Sequence, residues 1–81
     1  MDLEKILGEN VRGFRKQQGL TQESLGERSG IHRDFWAGIE RGERNITIET
    51  LKRVSTALGV EPFVLLMRGS HKWTSKSESR I

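Results

Sequence analysis

The side chains that most often carry out catalysis or bind metals are scarce in this 81-residue sequence. Cysteine and tyrosine are absent, and the two histidines, His32 and His71, lie far apart along the chain. No glycine-rich phosphate loop follows a strand, and no set of histidines and acids has the spacing of a metal site. The sequence therefore predicts that the protein is not an enzyme and that it holds neither a cofactor nor a metal.

Charged side chains are plentiful, but the net charge differs between the body of the chain and its end. Residues 1–67 hold ten acidic and ten basic side chains and are neutral overall. The stretch 68–81 holds four basic residues and one acid, so the net charge of +3 belongs to this tail. A folded part that binds an anion must therefore sort its charges onto one face.

Length and composition limit the class of protein. Eighty-one residues correspond to a single domain with a small core. The absence of cysteine excludes a disulfide framework and favours a reducing compartment. No apolar run approaches the ~18 residues that a membrane span needs, and the acidic start Met1–Glu4 is unlike a signal peptide. We expect a soluble, cytoplasmic protein that makes no contact with a membrane.

Apolar spacing, capping residues and glycines divide the chain into five short helices. The first has an apolar stripe from Leu3 to Phe14 and ends near Gly19, which suits a left-handed C-terminal cap. The others are predicted over residues 22–28, from Ile31 to before Gly42, from the N-cap Thr47 to Gly59 with Ile48 in its apolar stripe, and from Pro62 to residue 67 or 68.

These elements define the expected fold class and domain organisation. No strand signal and no internal repeat appears, so we predict an all-α fold, a compact bundle of five short helices. Residues 1–68 form the folded domain. Residues 69–81 are rich in serine and lysine and are predicted to be a disordered basic tail, with Trp73 exposed.

The stretch Gln22–Arg41 combines the features that a tight pair of crossed helices requires. Helices that cross near a right angle and approach closely need a small residue where they touch, and Gly26 is suitably placed. The turn between them needs a residue that tolerates positive φ, which Gly30 provides. The inward-pointing apolar residues are Leu25, Ile31, Trp36 and Ile39. We therefore predict a helix-turn-helix at the second and third helices.

From about residue 6 to 66 the sequence resembles the lambda-repressor and Cro type of helix-turn-helix family. The segments that carry the resemblance are Gly19–Glu23, Glu27–Ile31, Gly38–Gly42, Glu49–Leu51 and Ala57–Val60. The short length and the run Ile39–Asn45 make the chain similar to the controller proteins of restriction–modification systems, small dimers that bind their own promoter region. The resemblance implies a lambda-repressor-like DNA-binding domain and a sequence-specific regulator of transcription. A phage-type repressor and an antitoxin-like protein, which binds a partner protein as well as DNA, are the alternatives.

The resemblance implies a recognition helix, Arg33–Arg41, that lies in the major groove of double-stranded DNA. Arg33 would contact guanine, because its guanidinium fork fits the O6/N7 pair. Asp34 would accept a hydrogen bond from a cytosine N4 or orient Arg33, and the Ala37 methyl would meet a thymine methyl. Gly38 would only permit close approach. The alternative for Arg33 and Asp34 is a pair of solvated surface charges.

Contacts to the DNA backbone, which set register and affinity, are implied for further residues. Those that the resemblance assigns to this role are Gln22, Phe35, Arg44, Asn45, Lys16, Gln17 and Arg41. For Phe35 an equal alternative is that its ring covers the core. The resemblance also implies a partly buried salt bridge between Arg15 and Glu40, which gives Glu40 a structural role.

The last predicted helix supplies an argument for self-association. In the family that the sequence resembles, many members have acidic residues at the start of this helix, where this chain has Phe63 and Val64. Since the core needs only one of the two leucines that follow, the dimer interface is expected at Phe63, Val64 and Met67. A two-fold homodimer would place two recognition helices about 34 Å apart on a near-palindromic operator. The alternative is that Phe63 closes the monomer core. RNA polymerase is a further candidate partner.

Overall fold

Five helical segments follow one another in the computed structural model, which describes residues 2–73. They are α1 (Leu3–Gln17), α2 (Gln22–Ser29), α3 (Arg33–Glu40), α4 (Ile48–Leu58) and a 3₁₀ helix (Pro62–Leu66). No strand occurs between residues 2 and 73, and the predicted all-α bundle of five helices is confirmed. None of these helices is long and apolar enough to cross a membrane.

Side-chain and glycine caps set the helix boundaries where the sequence predicts them. The Thr21 hydroxyl accepts a hydrogen bond from the Ser24 backbone N–H at 3.0 Å, and the Ser24 hydroxyl accepts one from the Thr21 N–H at 2.9 Å. Together these bonds form a capping box at the start of α2. Thr47 caps α4 by accepting from the Thr50 N–H at 3.1 Å. Gly30 ends α2 with φ of 76°, a conformation that glycine adopts without steric cost.

The core forms around α3, which packs against both α1 and α2, while α4 packs against α2 and the 3₁₀ helix. Trp36 of α3 is fully buried, and its indole N–H donates to the Ser29 hydroxyl oxygen at 3.2 Å. The buried cluster consists of Leu7, Val11, Phe14, Leu25, Ile31, Trp36, Ile39, Leu51, Val54, Ala57, Leu58 and Leu65. It includes all four inward-pointing residues that the sequence predicts for the helix-turn-helix.

The fifth helix differs from its prediction in type and length. Residues Pro62–Leu66 form a 3₁₀ helix, and Met67 already has an extended backbone with ψ of 121°. Short 3₁₀ segments are frequent as connectors between longer elements. Only Leu65 of this segment is buried, so the short helix contributes one leucine to the core.

The beginning of the predicted tail is ordered. Residues 70–73 form a helical turn in which Ser70 is buried and donates its hydroxyl hydrogen bond to the Val64 carbonyl. The prediction of disorder is therefore wrong for residues 70–73, because a short polar turn can be held by contacts that leave no apolar pattern. Trp73 is exposed, as predicted. Residues 74–81, the rest of the predicted tail, lie outside the described residues.

Asn10 and His71 attach this turn to α1. Asn10 is fully buried, and its amide donates to the carbonyl oxygens of Leu65 and Met67, both at 2.8 Å. The remaining Asn10 oxygen lies 3.0 Å from His71 Nδ1. The His71 ring lies over Gly13, where a Cβ would come within 2.3 Å of the imidazole. α1, the 3₁₀ helix and the turn therefore form one packed unit that extends past residue 68, the predicted end of the domain.

Candidate nucleic-acid interface

The turn between α2 and α3 is built around two glycines. A Cβ at Gly26 would lie 3.0 Å from the Ile31 carbonyl oxygen, so the missing side chain lets α2 approach the start of α3 closely. Gly30 then ends α2 in the left-handed conformation. His32 caps α3 by accepting a hydrogen bond from the Asp34 N–H at 3.0 Å on its ring Nδ1. The predicted helix-turn-helix geometry is present.

The N-terminal end of α3 carries two exposed side chains of opposite charge. The side chains of Arg33 and Asp34 are 60% and 83% exposed. Arg33 Nη1 lies 3.4 Å from Glu23 Oε2 on α2, whereas the Asp34 carboxylate lies 3.7 Å from His32 Nδ1. Asp34 therefore does not orient Arg33. The Glu23 pair is exposed and worth little in water, which leaves the Arg33 guanidinium accessible to a ligand.

Two predicted contact residues on α3 are half-buried. Ala37 is partly exposed and follows Arg33 by four residues, so both lie on the same face of the helix. Phe35 packs against the core, and the guanidinium carbon of Arg44 lies 4.8 Å from its ring centroid. Since the ring contacts both the core and Arg44, the geometry favours the core-covering alternative for Phe35 over a contact with DNA sugars.

Arg15 of α1 and Glu40 of α3 form the ion pair that the resemblance implies. Arg15 Nε and Nη2 donate to the two Glu40 oxygens at 2.6 and 2.9 Å, and Arg15 Nη1 donates to the Leu20 carbonyl at 3.0 Å. The hydrogen bond to Glu40 raises the pKa of Arg15. The Gln22 side chain also donates to Glu40, at 3.1 Å, so the start of α2 belongs to the same network. This network fixes α3 relative to α1 and α2.

The other predicted backbone-contact residues are exposed but differ in their surroundings. Lys16 and Asn45 are exposed, and within residues 2–73 Lys16 forms no salt bridge. Arg41 Nε lies 3.0 Å from Glu43 Oε1 in an exposed pair. Gln17 instead donates its amide hydrogen bond to the backbone of the C-terminal turn, at 2.6 Å. Of the residues in this paragraph, Gln17 is the one whose side chain holds two parts of the fold together.

Four large apolar side chains are exposed in the short 3₁₀ helix and at the first residues of two other helices. Phe63 and Leu66 belong to the 3₁₀ helix, Ile48 starts α4 and Leu3 starts α1. Their exposed fractions are 62%, 37%, 73% and 43%. A cleft of about 180 Å³ is lined by Leu3, Ile48 and Leu66, by the deeper side chains of Leu7, Ile46 and Leu51, and at its polar rim by Glu4, Arg44, Asn45 and Thr47. We call Leu3, Ile48 and Leu66, together with the exposed Phe63, the apolar surface.

The predicted interface residues are only partly on this surface. Phe63 is exposed, which contradicts the alternative that it closes the monomer core. Val64 is half-buried against the core, beside Phe14, and Met67 is half-buried as well. The sequence predicts Ile48 in the apolar stripe of α4, but Ile48 is the first residue of that helix and lies at the edge of the stripe. The sequence signal for the exposure of Ile48 is its position at the N-terminus of α4, directly after the N-cap Thr47.

The surface around α3 offers charged and amide side chains. No three histidine or acidic side chains between residues 2 and 73 come close enough together to hold a metal ion. The exposed groups on and around α3 are guanidinium and carboxylate side chains, which can donate to and accept from the edges of bases.

Comparison with known proteins places this geometry in a family. A family model described as helix-turn-helix matches residues 11–65. The control protein C.SmaI from Serratia marcescens is 46% identical over 68 residues, which cover 84% of this chain and 81% of that protein. The fold is similar to a hypothetical transcription factor from Neisseria, with a TM-score of 0.81, 32% identity and coverage of 90% of this chain and 84% of that one.

A second solved structure has DNA bound. It is the restriction–modification controller protein C.Esp1396I, crystallised as a tetramer in complex with its natural 35 base-pair operator. This chain matches it with a TM-score of 0.73 and 32% identity, over 80% of this chain and 86% of that one. The family model covers more than half of the chain, and the similarity to C.SmaI covers most of both proteins. The chain belongs to the helix-turn-helix family.

Proposed function

We propose that this protein is a sequence-specific DNA-binding regulator of transcription, a dimeric control protein of a restriction–modification system that acts on its own promoter. The observation that carries the proposal is the accessible Arg33 at the start of α3, held on a helix-turn-helix frame. The similarity to C.SmaI and to C.Esp1396I, proteins named as controllers, supports the same function.

In the proposed complex, α3 enters the major groove and its N-terminal residues meet the base edges. Arg33 donates two hydrogen bonds to a guanine, Asp34 accepts one from a cytosine and Ala37 contacts a thymine methyl. To reach DNA, Arg33 gives up its 3.4 Å pair with Glu23. Since that pair is exposed, its loss costs about 0–1 kcal/mol, less than the ~1–3 kcal/mol that a good bidentate base contact provides.

The proposed backbone contacts surround α3. The free N–H groups at the start of α2, beside Gln22, favour a phosphate, as does the positive end of the helix dipole. Lys16, Arg41, Arg44 and Asn45 are exposed and supply further donors. These residues belong to a folded part whose charges balance in number, so affinity for DNA would come from the placement of cations rather than from an excess of them.

A second copy of the chain is the proposed partner of the apolar surface. Phe63, Leu66, Ile48 and Leu3 would pack across a two-fold axis, in place of the Val64 and Met67 contacts predicted from sequence. Self-association is favoured because an exposed apolar patch on a folded protein usually marks a partner surface. A two-fold dimer would present two copies of α3 to half-sites about one DNA turn, or roughly 34 Å, apart. RNA polymerase is a further proposed partner, since regulation of a promoter must alter polymerase activity.

The proposal is tested by footprinting the wild-type protein on the DNA directly upstream of its own coding sequence. We expect protection of two half-sites related by approximate two-fold symmetry, at concentrations that leave a scrambled duplex of the same length unprotected. Equal protection of both duplexes at every salt concentration would contradict sequence-specific regulation. A methyltransferase gene and a nuclease gene beside the coding sequence would support the controller function, whereas a small toxin gene there would support the antitoxin-like alternative.

A further inference from the structure

We infer that Gly38 is a positioning residue for Arg44. Because residue 38 has no side chain, Arg44 can lie across α3 beside the face of that helix that carries Arg33. The consequence of this packing for binding rests on the proposed function, whereas the position of Arg44 can be measured without DNA.

Arg44 lies in the segment after α3 and folds back over that helix. Its guanidinium carbon is 4.8 Å from the Phe35 ring centroid, within the range of a cation–π interaction. A Cβ on Gly38 would lie 2.9 Å from Arg44 Nε and 3.0 Å from its Cγ. The Arg44 side chain therefore occupies the space that any side chain at residue 38 would fill.

The backbone gives no other reason for a glycine at residue 38. Gly38 is inside α3, and it is not among the glycines with positive φ. In the interior of a helix, glycine is less favourable than alanine. Gly8, by contrast, faces the Ile39 carbonyl oxygen, which a Cβ would approach to 2.3 Å. Gly8 is required by rigid backbone, whereas Gly38 accommodates only a flexible side chain.

The position of Arg44 relative to α3 suits a contact with DNA. Gly38 follows Asp34 by four residues and Phe35 by three, so Arg44 lies on the flank of the helix beside the face that carries Arg33. Arg33 and Arg41 each pair with a carboxylate, but among the described residues Arg44 has no acidic partner. Packing on Phe35 and Gly38 limits the rotamers of Arg44 before DNA arrives, which reduces the entropy lost on binding. The group it would meet is a phosphate of the DNA backbone.

The test uses the full chain with Gly38→Ala, Arg44→Ala and the double variant. Binding is measured on the upstream DNA fragment and on the scrambled duplex, and melting temperature is measured for each variant. We expect Gly38→Ala to keep or raise the melting temperature and to weaken binding to the upstream fragment about tenfold, the scale of one hydrogen bond to a charged group. In the Arg44→Ala background, Gly38→Ala should cause no further loss, since coupled residues are not additive.

A second measurement follows Arg44 in the protein without DNA. The NMR signal of its Nε–Hε group should be shifted by the Phe35 ring in the wild type, and Gly38→Ala or Phe35→Leu should remove that shift. The inference is overturned if the signal is unchanged in Gly38→Ala, if that variant melts lower than the wild type, or if its binding loss adds to that of Arg44→Ala. Absence of any preference for the upstream fragment by the wild type would instead refute the proposed function, and the NMR comparison would still decide the position of Arg44.

Discussion

Glu40 lies on the same helix as Arg33, but its carboxylate faces Arg15 of α1, with the two oxygens 2.6 and 2.9 Å from Nε and Nη2 of that arginine. The Glu40 side chain is only 5% exposed, whereas that of Arg33 is 60% exposed. One short helix thus carries a structural charge on its inner face and an accessible charge at its outer end. This division separates the residues that hold α3 from those proposed to read DNA.

Removing the charge of Glu40 should lower the free energy of unfolding much more than removing the charge of Arg33. Glu40→Ala leaves Arg15 and Gln22 without their shared acceptor, and breaking a well-buried pair on one side costs about 3–5 kcal/mol. Arg33→Ala removes only an exposed pair and should change the free energy of unfolding by less than about 0.5 kcal/mol. Urea denaturation of the two variants measures the difference. Equal midpoints for both would refute the structural role of Glu40.

The C-terminal turn should contribute to stability even though it lies beyond the last regular helix. Truncation after residue 68 removes the Ser70 hydrogen bond to the Val64 carbonyl and the His71 partner of the buried Asn10 oxygen. We expect a loss of about 1–3 kcal/mol, the range for a buried polar group that loses partners. Truncation after residue 73 keeps these contacts and serves as the matched control. If the two truncated chains melt at the same temperature, the turn is not part of the folded unit.

The apolar surface should control the oligomeric state. Phe63→Glu and Ile48→Glu each place a charge within the proposed interface and should give monomers that bind the upstream fragment weakly. Trp73→Glu is the control, since Trp73 is 57% exposed and belongs to the C-terminal turn, which is not part of the proposed interface. Sedimentation velocity reports the outcome. Unchanged sedimentation of both interface variants would exclude this surface as the site of self-association.

The positions of α2 and α3 could be predicted because their signals are local. Thr21 and Gly30 act on backbone groups a few residues away, and each is found in the capping role that its type predicts. Trp36 is buried as its place in the helical period requires. Local chemistry and helical period therefore determine most of the helix-turn-helix.

Features that depend on contacts distant in sequence could not be predicted in the same way. Asn10 reaches carbonyls more than fifty residues away, and no pattern around it marks that role. Ile48 has the residue type of the core but starts its helix at the surface. Arg33 meets Glu23 rather than its neighbour Asp34, because the turn brings the two helix starts together. Such pairings follow from the tertiary arrangement of the helices.

The central claim is that Arg33 distinguishes base sequence through its forked guanidinium. The most direct test compares the wild type with Arg33→Lys and Arg33→Ala on the upstream fragment and on the scrambled duplex, at two salt concentrations. Arg68→Ala, which removes an exposed cation after the 3₁₀ helix, is the control for charge alone. We predict that both Arg33 variants lose about 1–3 kcal/mol of preference for the upstream fragment, because lysine keeps the charge but not the fork. An Arg33→Lys protein that retains the full preference of the wild type would contradict the account.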